Sequence, residues 1–326
     1  MQKVLIALTA LAALLCAAPC WGQPETELRP QRTVFLYASA APEMADPVVG
    51  KELEFAGFEM AESNGVEEPE RIGANGNLHN VSGLARFDLY FPENPNGQMV
   101  LIFPGGGYVG MTTYLGGLYV AEYLVNRGIT AAVVKYRKPN RHPDVPLADV
   151  QNVMRYCRVH ADEWGVRQIG VWGMSAGGHL AASAQTMYTD AVTRPDFAVL
   201  IYPVISFDRR YAPDSNTRRY MIGYEEGSDA FAEKYSADMH VTPDTPPAFI
   251  ALSENDRSVP PAQGILMFTR LMENGVRADL HIYPKGGHGW SVIPRTDGRE
   301  RFSEYRSEFL QSVERFLAQM NNNNNK

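Results

Sequence analysis

Cysteine is almost missing from this chain, and so is any excess of positive charge. Of three cysteines, Cys16 and Cys20 fall in an apolar N-terminal stretch. That leaves Cys157 with no internal partner and excludes a disulfide framework. Cys157 shares a three-four spacing with Val150, Val153 and Met154, the mark of a buried helix face, where a thiol is inert rather than catalytic. The net charge is −7 and no basic stripe is present, which argues against a nucleic-acid partner. The chain has no internal repeat, and no His/Cys/Asp set with metal-ligand spacing, so neither a metal nor another cofactor is expected. Long hydrophobic runs are lacking too, with one exception. Val4–Ala18 is apolar, follows Lys3 and precedes Gly22. This is the layout of a secretory signal peptide and is shorter than the roughly 20 residues a bilayer span needs. Pro19 before Cys20 argues against lipidation. The expected product is exported, periplasmic or secreted, cleaved near Gly22 and without stable membrane insertion.

What is present begins with strand and helix patterns that alternate. Residues 23–83 read as a polar lead-in followed by an irregular segment, 84–320 as one domain, and 321–326 as a disordered tail. Strands are expected at Leu84–Phe91, Met99–Phe103, Ile129–Tyr136, Ile169–Trp172, Phe197–Val204, Ala248–Leu252 and Ala278–Tyr283. Several are continuous apolar runs, as in strands covered on both faces. Helices are expected at Leu115–Arg127, from Pro146 to about Trp164, and over Ala176–Met187, Pro261–Glu273 and Glu300–Met320. Residues 206–244 are polar and broken, with one helix near Ser228–Tyr235. Alternation of this kind predicts an α/β fold: a mainly parallel central sheet with helices on both faces. Ligands then gather at the C-terminal strand ends.

Three of those strand ends carry chemistry. After Ile169–Trp172 comes Gly173-Met174-Ser175-Ala176-Gly177, and a helix follows. A Gly-x-Ser-x-Gly turn between strand and helix exposes a serine on a sharp backbone bend. A serine hydroxyl needs a histidine base, and the base needs a carboxylate to fix its tautomer. In this chain order the acid precedes the histidine. Asp256 follows the strand ending at Leu252, and His288 follows the strand ending at Tyr283. Asp208 is the rival acid, Glu254 sits earlier in the same loop, and His240 is the reserve base. His179, on the helix after the serine, is expected to be structural. Two backbone amides would hold a developing oxyanion. Ala176 supplies one, and Gly106 and Gly107 in the loop Pro104-Gly105-Gly106-Gly107-Tyr108 supply the other. A phosphate loop is disfavoured there, because the lysine and spacing it requires are absent. Tyr108 and Trp290 flank the site in sequence and are candidate aromatic walls for a sugar ring.

With these residues in view, the chain resembles the serine esterases of the α/β-hydrolase superfamily. More narrowly, it is similar to the acetyl xylan esterase and feruloyl esterase-like group, related to the hormone-sensitive-lipase-like esterases. The resemblance rests on "PGGGY", "KYRKP", "GMSAGGHLA", "HVTPDTPPAFI", "ENDRSVP" and "GGHGW". It departs from the lipase-like relatives at Pro104, where they usually carry histidine. It implies a carboxylic ester hydrolase that needs no cofactor and acts on acetylated oligo- or polysaccharides or another small ester. Two other readings stay open. One is a peptidase of the prolyl-oligopeptidase type, for whose propeller the chain leaves no room. The other is a non-catalytic binding protein on the same scaffold.

Overall fold

The computed structural model describes residues 28–36, 71–72, 78–79, 85–139, 142–211, 216–222, 229–295, 298 and 300–323. The expected signal peptide, most of the irregular segment and residues 324–326 lie outside them. In chain order the strands are β1 (Arg32–Phe35), β2 (Arg71–Ile72), β3 (Leu78–His79), β4 (Arg86–Tyr90), β5 (Gln98–Phe103), β6 (Gly110–Met111), β7 (Thr130–Lys135), β8 (Gln168–Met174), β9 (Ala198–Ile201), β10 (Ala248–Ser253) and β11 (Ala278–Tyr283). The α-helices are α1 (Tyr119–Val125), α2 (Asp144–Val159), α3 (Ala176–Thr186), α4 (Asn216–Ile222), α5 (Asp229–Lys234), α6 (Ala262–Glu273) and α7 (Arg306–Asn323). A π-helical turn at Thr113–Leu118 leads into α1.

Among the described residues, eight strands form one sheet in the order β1-β4-β7-β5-β8-β9-β10-β11. The β1–β4 and β4–β7 pairs are antiparallel and the rest are parallel. The apolar strand runs follow from burial on both faces. In β5, Met99, Leu101 and Phe103 join the layer under α2, α3 and α6. Val100 and Ile102 join the opposite layer with α1 and α7. The same alternation divides Ile250 from Phe249 in β10. From β5 the chain moves outward to β7 and then crosses back to β8 on the other side. That reversal is the switch point where an open parallel sheet leaves a crevice.

Several sequence boundaries shift. Arg32–Phe35, within the expected lead-in and irregular segment, forms β1, which adds an antiparallel edge strand to the sheet. The domain therefore begins earlier than residue 84. Helix α2 starts at Asp144, and Pro146 lies in its first turn, where its missing N–H loses nothing. The expected Leu115–Arg127 helix is partly the π-helical turn. There Gly117 is pressed so close to β7 that a Cβ would lie 2.9 Å from Val133. Helix α7 begins at Arg306 rather than Glu300 and runs through Asn323, so the start of the expected tail is helical.

A buried ion pair ties α2 to the end of β7. Arg137 Nη2 lies 2.7 Å from Asp149 Oδ1, and the Arg137 backbone N–H donates to Asp149 Oδ2 at 2.8 Å. Both residues are buried. Removing one partner would break a buried ion pair, at a cost of about 3–5 kcal/mol. Asp149→Ala is therefore expected to lower the unfolding free energy by about that amount in a denaturant titration.

Candidate active site

The parallel pairing of β5 and β8 aligns Phe103 with Gly173. This brings the glycine loop after β5 against the serine turn after β8. A Cβ on Gly105 would stand 3.0 Å from Ser175 Cβ. Ser175 itself is bent into φ 57°, ψ −120°, a conformation L-residues rarely hold. Two glycines allow it. A Cβ on Gly173 would collide with the Gly177 carbonyl, and one on Gly177 with the Phe103 carbonyl. Strand β8 continues through Met174, two residues past its expected end, and Ser175 interrupts it directly.

The pairing of β10 and β11 aligns Ser253 with Tyr283 and so sets the two following loops side by side. Asn255 Oδ1 joins them by accepting the Gly287 N–H at 2.9 Å. Asp256 Oδ2 lies 2.6 Å from His288 Nδ1, and His288 Nε2 lies 2.8 Å from Ser175 Oγ. A carboxylate accepts, so Nδ1 carries the proton and Nε2 accepts the serine O–H. Asp256 Oδ1 is held by the backbone N–H groups of Ser258 and Val259 at 2.8 and 3.0 Å. Asp256 thus closes its own turn with one oxygen and meets His288 with the other. Asp208 is elsewhere. The hydrogen bond from Arg210 holds its carboxyl below the usual range. Glu254 is exposed, and His240 Nε2 hydrogen-bonds the Lys234 carbonyl.

The glycine loop spends its carbonyls away from the site. Pro104 O accepts Tyr136 O–H at 2.7 Å, Gly105 O accepts Thr112 N–H at 2.8 Å, and Gly106 O accepts the N–H groups of Val109 and Gly110. Gly106 and Gly107 have φ 145° and 67°, and a Cβ on Gly106 would strike the Gly110 carbonyl. Among the described residues, none accepts the N–H of Gly106, Gly107 or Ala176. Ala176 opens the eleven-residue α3, whose N-terminal end favours negative charge. Tyr136 and Thr112 are positioning residues that sequence reasoning missed. The signal for Tyr136 was in "KYRKP".

A cavity of about 560 Å³ opens over Ser175. Its lining includes Gly106, Gly107 and His288, and also Leu115, Met174 and Tyr202. Thr217 reaches it from α4, so the polar connector contributes to its wall. The aromatic expectations require correction. Tyr108 is 1% exposed and its O–H meets His179 Nδ1 at 2.8 Å. Trp290 is 1% exposed, donates to Ser253 Oγ at 2.8 Å and stacks on Phe302. Neither presents a face to a sugar. Tyr202 lies in the cavity wall instead, with its ring 4.7 Å from that of His288. Cys157 and His179 are buried as expected.

His179 Nε2 donates to the Tyr235 carbonyl at 2.8 Å. That carbonyl can only accept, so Nε2 carries the ring's proton, and in the neutral ring Nδ1 accepts from the Tyr108 O–H. Burial holds its pKa down at about 4.

This sheet order and strand-end geometry are those of the α/β-hydrolase fold. The BD-FAE family model matches residues 87–271, more than half of the chain, and the chain belongs to that family. It is 33% identical over 242 residues to an acetylxylan esterase of Xylanibacter ruminicola, covering 72% of this chain and 48% of that protein. This chain thus spans about half of that relative's length. Among solved structures, it is similar to an acetyl ester-xyloside bifunctional hydrolase from Caldicellulosiruptor lactoaceticus. That match has a TM-score of 0.65 and 29% identity, and covers 73% of this chain and 88% of that one. A sugar hydrolase from Lactococcus lactis aligns with a TM-score of 0.60 and 26% identity over 72% of this chain and 96% of that one.

Two outcomes follow from the buried histidine. Tyr108→Phe leaves Nδ1 without its donor and is expected to cost about 1–3 kcal/mol of stability by denaturant titration. Below pH 6.5 the unfolded His179 gains a proton that the folded ring refuses down to about pH 4. This residue therefore withdraws stability as pH falls through that window, by about 3 kcal/mol at its acid end. Thermal melts of His179→Gln should show a flatter pH profile than wild type from pH 6.5 to 4, and parallel profiles would contradict the assignment.

Proposed function

We propose that this protein is a serine carboxylesterase that removes acetyl groups from carbohydrate esters through an acyl-enzyme. The observation that carries the reading is the hydrogen-bonded sequence Ser175–His288–Asp256, with the two contacts at 2.8 and 2.6 Å. Ser175 Oγ attacks the ester carbonyl carbon while its proton passes to His288 Nε2. Asp256 holds the ring in the required tautomer and stabilises the imidazolium. The N–H groups of Ala176, Gly106 and Gly107 receive the oxyanion, a contribution of about 10²–10³ in rate per donor. The C–O bond then breaks, and His288 returns its proton to the departing alcohol. Water repeats the attack on the acyl-enzyme, releases the acid and restores Ser175.

The carbohydrate assignment draws support from the acetylxylan esterase and the acetyl ester-xyloside hydrolase to which the chain is similar. The apolar residues Leu115 and Met174 beside Ser175 suit a short acyl group. Export is supported by the apolar stretch 4–18, with cleavage near Gly22, which would bring the enzyme to polymeric substrate.

Acetate release from acetylated xylan tests the reading. Wild type is expected to release acetate, and Ser175→Ala to lose the activity. Asp256→Asn is expected to lower kcat about 10⁴-fold, because the histidine tautomer is lost. Equal rates in wild type and Ser175→Ala would remove the serine mechanism. Cleavage of Pro-containing peptides without acetate release would favour the peptidase reading.

A further inference from the structure

Three non-glycine residues among those described hold a positive φ: Tyr108, Ser175 and Tyr202. Ser175 is the proposed nucleophile, and Tyr108 follows the glycine loop. Tyr202, at φ 35°, comes directly after β9 and has no role in the cycle described above. A bulky residue rarely holds such a backbone, and one that precedes a proline, here Pro203, is pushed toward extended geometry besides. The conformation is therefore imposed by what surrounds it. Those surroundings are the strand ends of the candidate site. The flanking residues grip the serine turn: Ile201 O accepts the Ser175 N–H and the Val204 N–H donates to Ser175 O, both at 3.1 Å. The Tyr202 N–H donates to Ala251 O at 2.7 Å, in the strand that leads to Asp256. Its O–H donates to the Trp290 carbonyl, two residues beyond His288.

The side chain packs against the base. The Tyr202 ring lies 4.7 Å from the His288 imidazole, with the ring planes at 57°, and 4.9 Å from the Trp290 ring at 78°. Tyr202 is 4% exposed, so little of it is open to a substrate. Among the described residues the imidazole has two hydrogen bonds, to Asp256 and to Ser175. Hydrogen bonds at the two ring nitrogens act in the ring plane, so they do not stop the ring rocking about the line that joins them. One of them is also lost in mid-cycle. Once Ser175 Oγ is bonded to the acyl group it has no proton to donate, and the Asp256 bond remains. His288 must then still activate water. An aromatic ring packed against the imidazole restrains it in both halves of the cycle.

We infer that Tyr202 is a positioning residue, whose ring holds the His288 imidazole in line with Ser175 and then with the water that attacks the acyl-enzyme. This rests on the esterase reading above and adds a residue to its machinery.

The test is hydrolysis of 4-nitrophenyl acetate by Tyr202→Leu. The kcat is counted per site titrated to completion with a fluorophosphonate, so that unfolded chains do not enter. Losing the ring is expected to lower kcat about ten- to hundredfold, the scale of a misplacement of about 1 Å. His288 acts in both acylation and deacylation, so KM should stay within about twofold of wild type. The rate constant for labelling should fall as well, because it reads the same serine–histidine pair. Tyr202→Phe keeps the ring and should recover most of the loss. Tyr202→Met, flexible enough to fill the gap, repeats the test if the leucine variant does not fold. An unchanged kcat per titrated site would overturn the inference, and so would a loss as large in Tyr202→Phe as in Tyr202→Leu. A raised KM with kcat intact would make Tyr202 a wall for substrate and would overturn it too. In each of these cases the wild type is active. A wild-type protein that neither hydrolyses the ester nor takes the label defeats the esterase reading itself.

Discussion

The whole site hangs on one strained residue. Ser175 at φ 57° ends β8 and begins α3 with no intervening loop. That bend sets the Ser175 hydroxyl against His288 Nε2 and leaves the Ala176 N–H without an acceptor among the described residues. Strain of this kind costs about 1–3 kcal/mol and persists only where the surroundings over-determine it. Here the surroundings are backbone: Gly173 and Gly177 nest against each other and against the Phe103 carbonyl. A side chain at Gly173 would push α3 off β8, and one at Gly177 would push α3 off the end of β5, so either would displace the turn that carries Ser175.

The remaining partners are fixed by register and not by their own loops. Parallel pairing of β10 with β11 aligns the starts of the Asp256 and His288 loops, and the Asn255–Gly287 hydrogen bond closes them together. Behind them Trp290, Phe302, Tyr283 and Phe309 pack as one aromatic group. On the opposite side Tyr136 and Thr112 turn the carbonyls of the glycine loop inward. Gly106 and Gly107 line the cavity, and their amides have no acceptor among the described residues.

Much of this was legible in the sequence because the chemistry follows strand ends. Ser175, Asp256 and His288 each come within a few residues of an apolar strand, in the order the fold imposes, and Gly106 and Gly107 follow another. What misled was proximity along the chain. Tyr108 and Trp290 neighbour functional residues, but each has a polar tip that finds a buried partner, His179 and Ser253, so their rings are consumed by packing. The edge strand Arg32–Phe35 was hidden because four residues with two polar members give little alternation. The start of α7 was misplaced because Glu300, helix-compatible by type, uses its carboxylate on the backbone N–H groups of Arg295 and Phe302. Thr112 and Asn255 were missed because their hydrogen bonds to the Gly105 and Gly287 backbone exist only in the folded chain.

The central claim is that Ser175, activated by His288, is the nucleophile. Active-site labelling with a fluorophosphonate, read by intact-protein mass and peptide mapping, tests it most directly. One adduct per chain, on Ser175 alone and absent from His288→Ala, is the result expected. No adduct, or an adduct that persists when Ser175 is replaced by alanine, would contradict it.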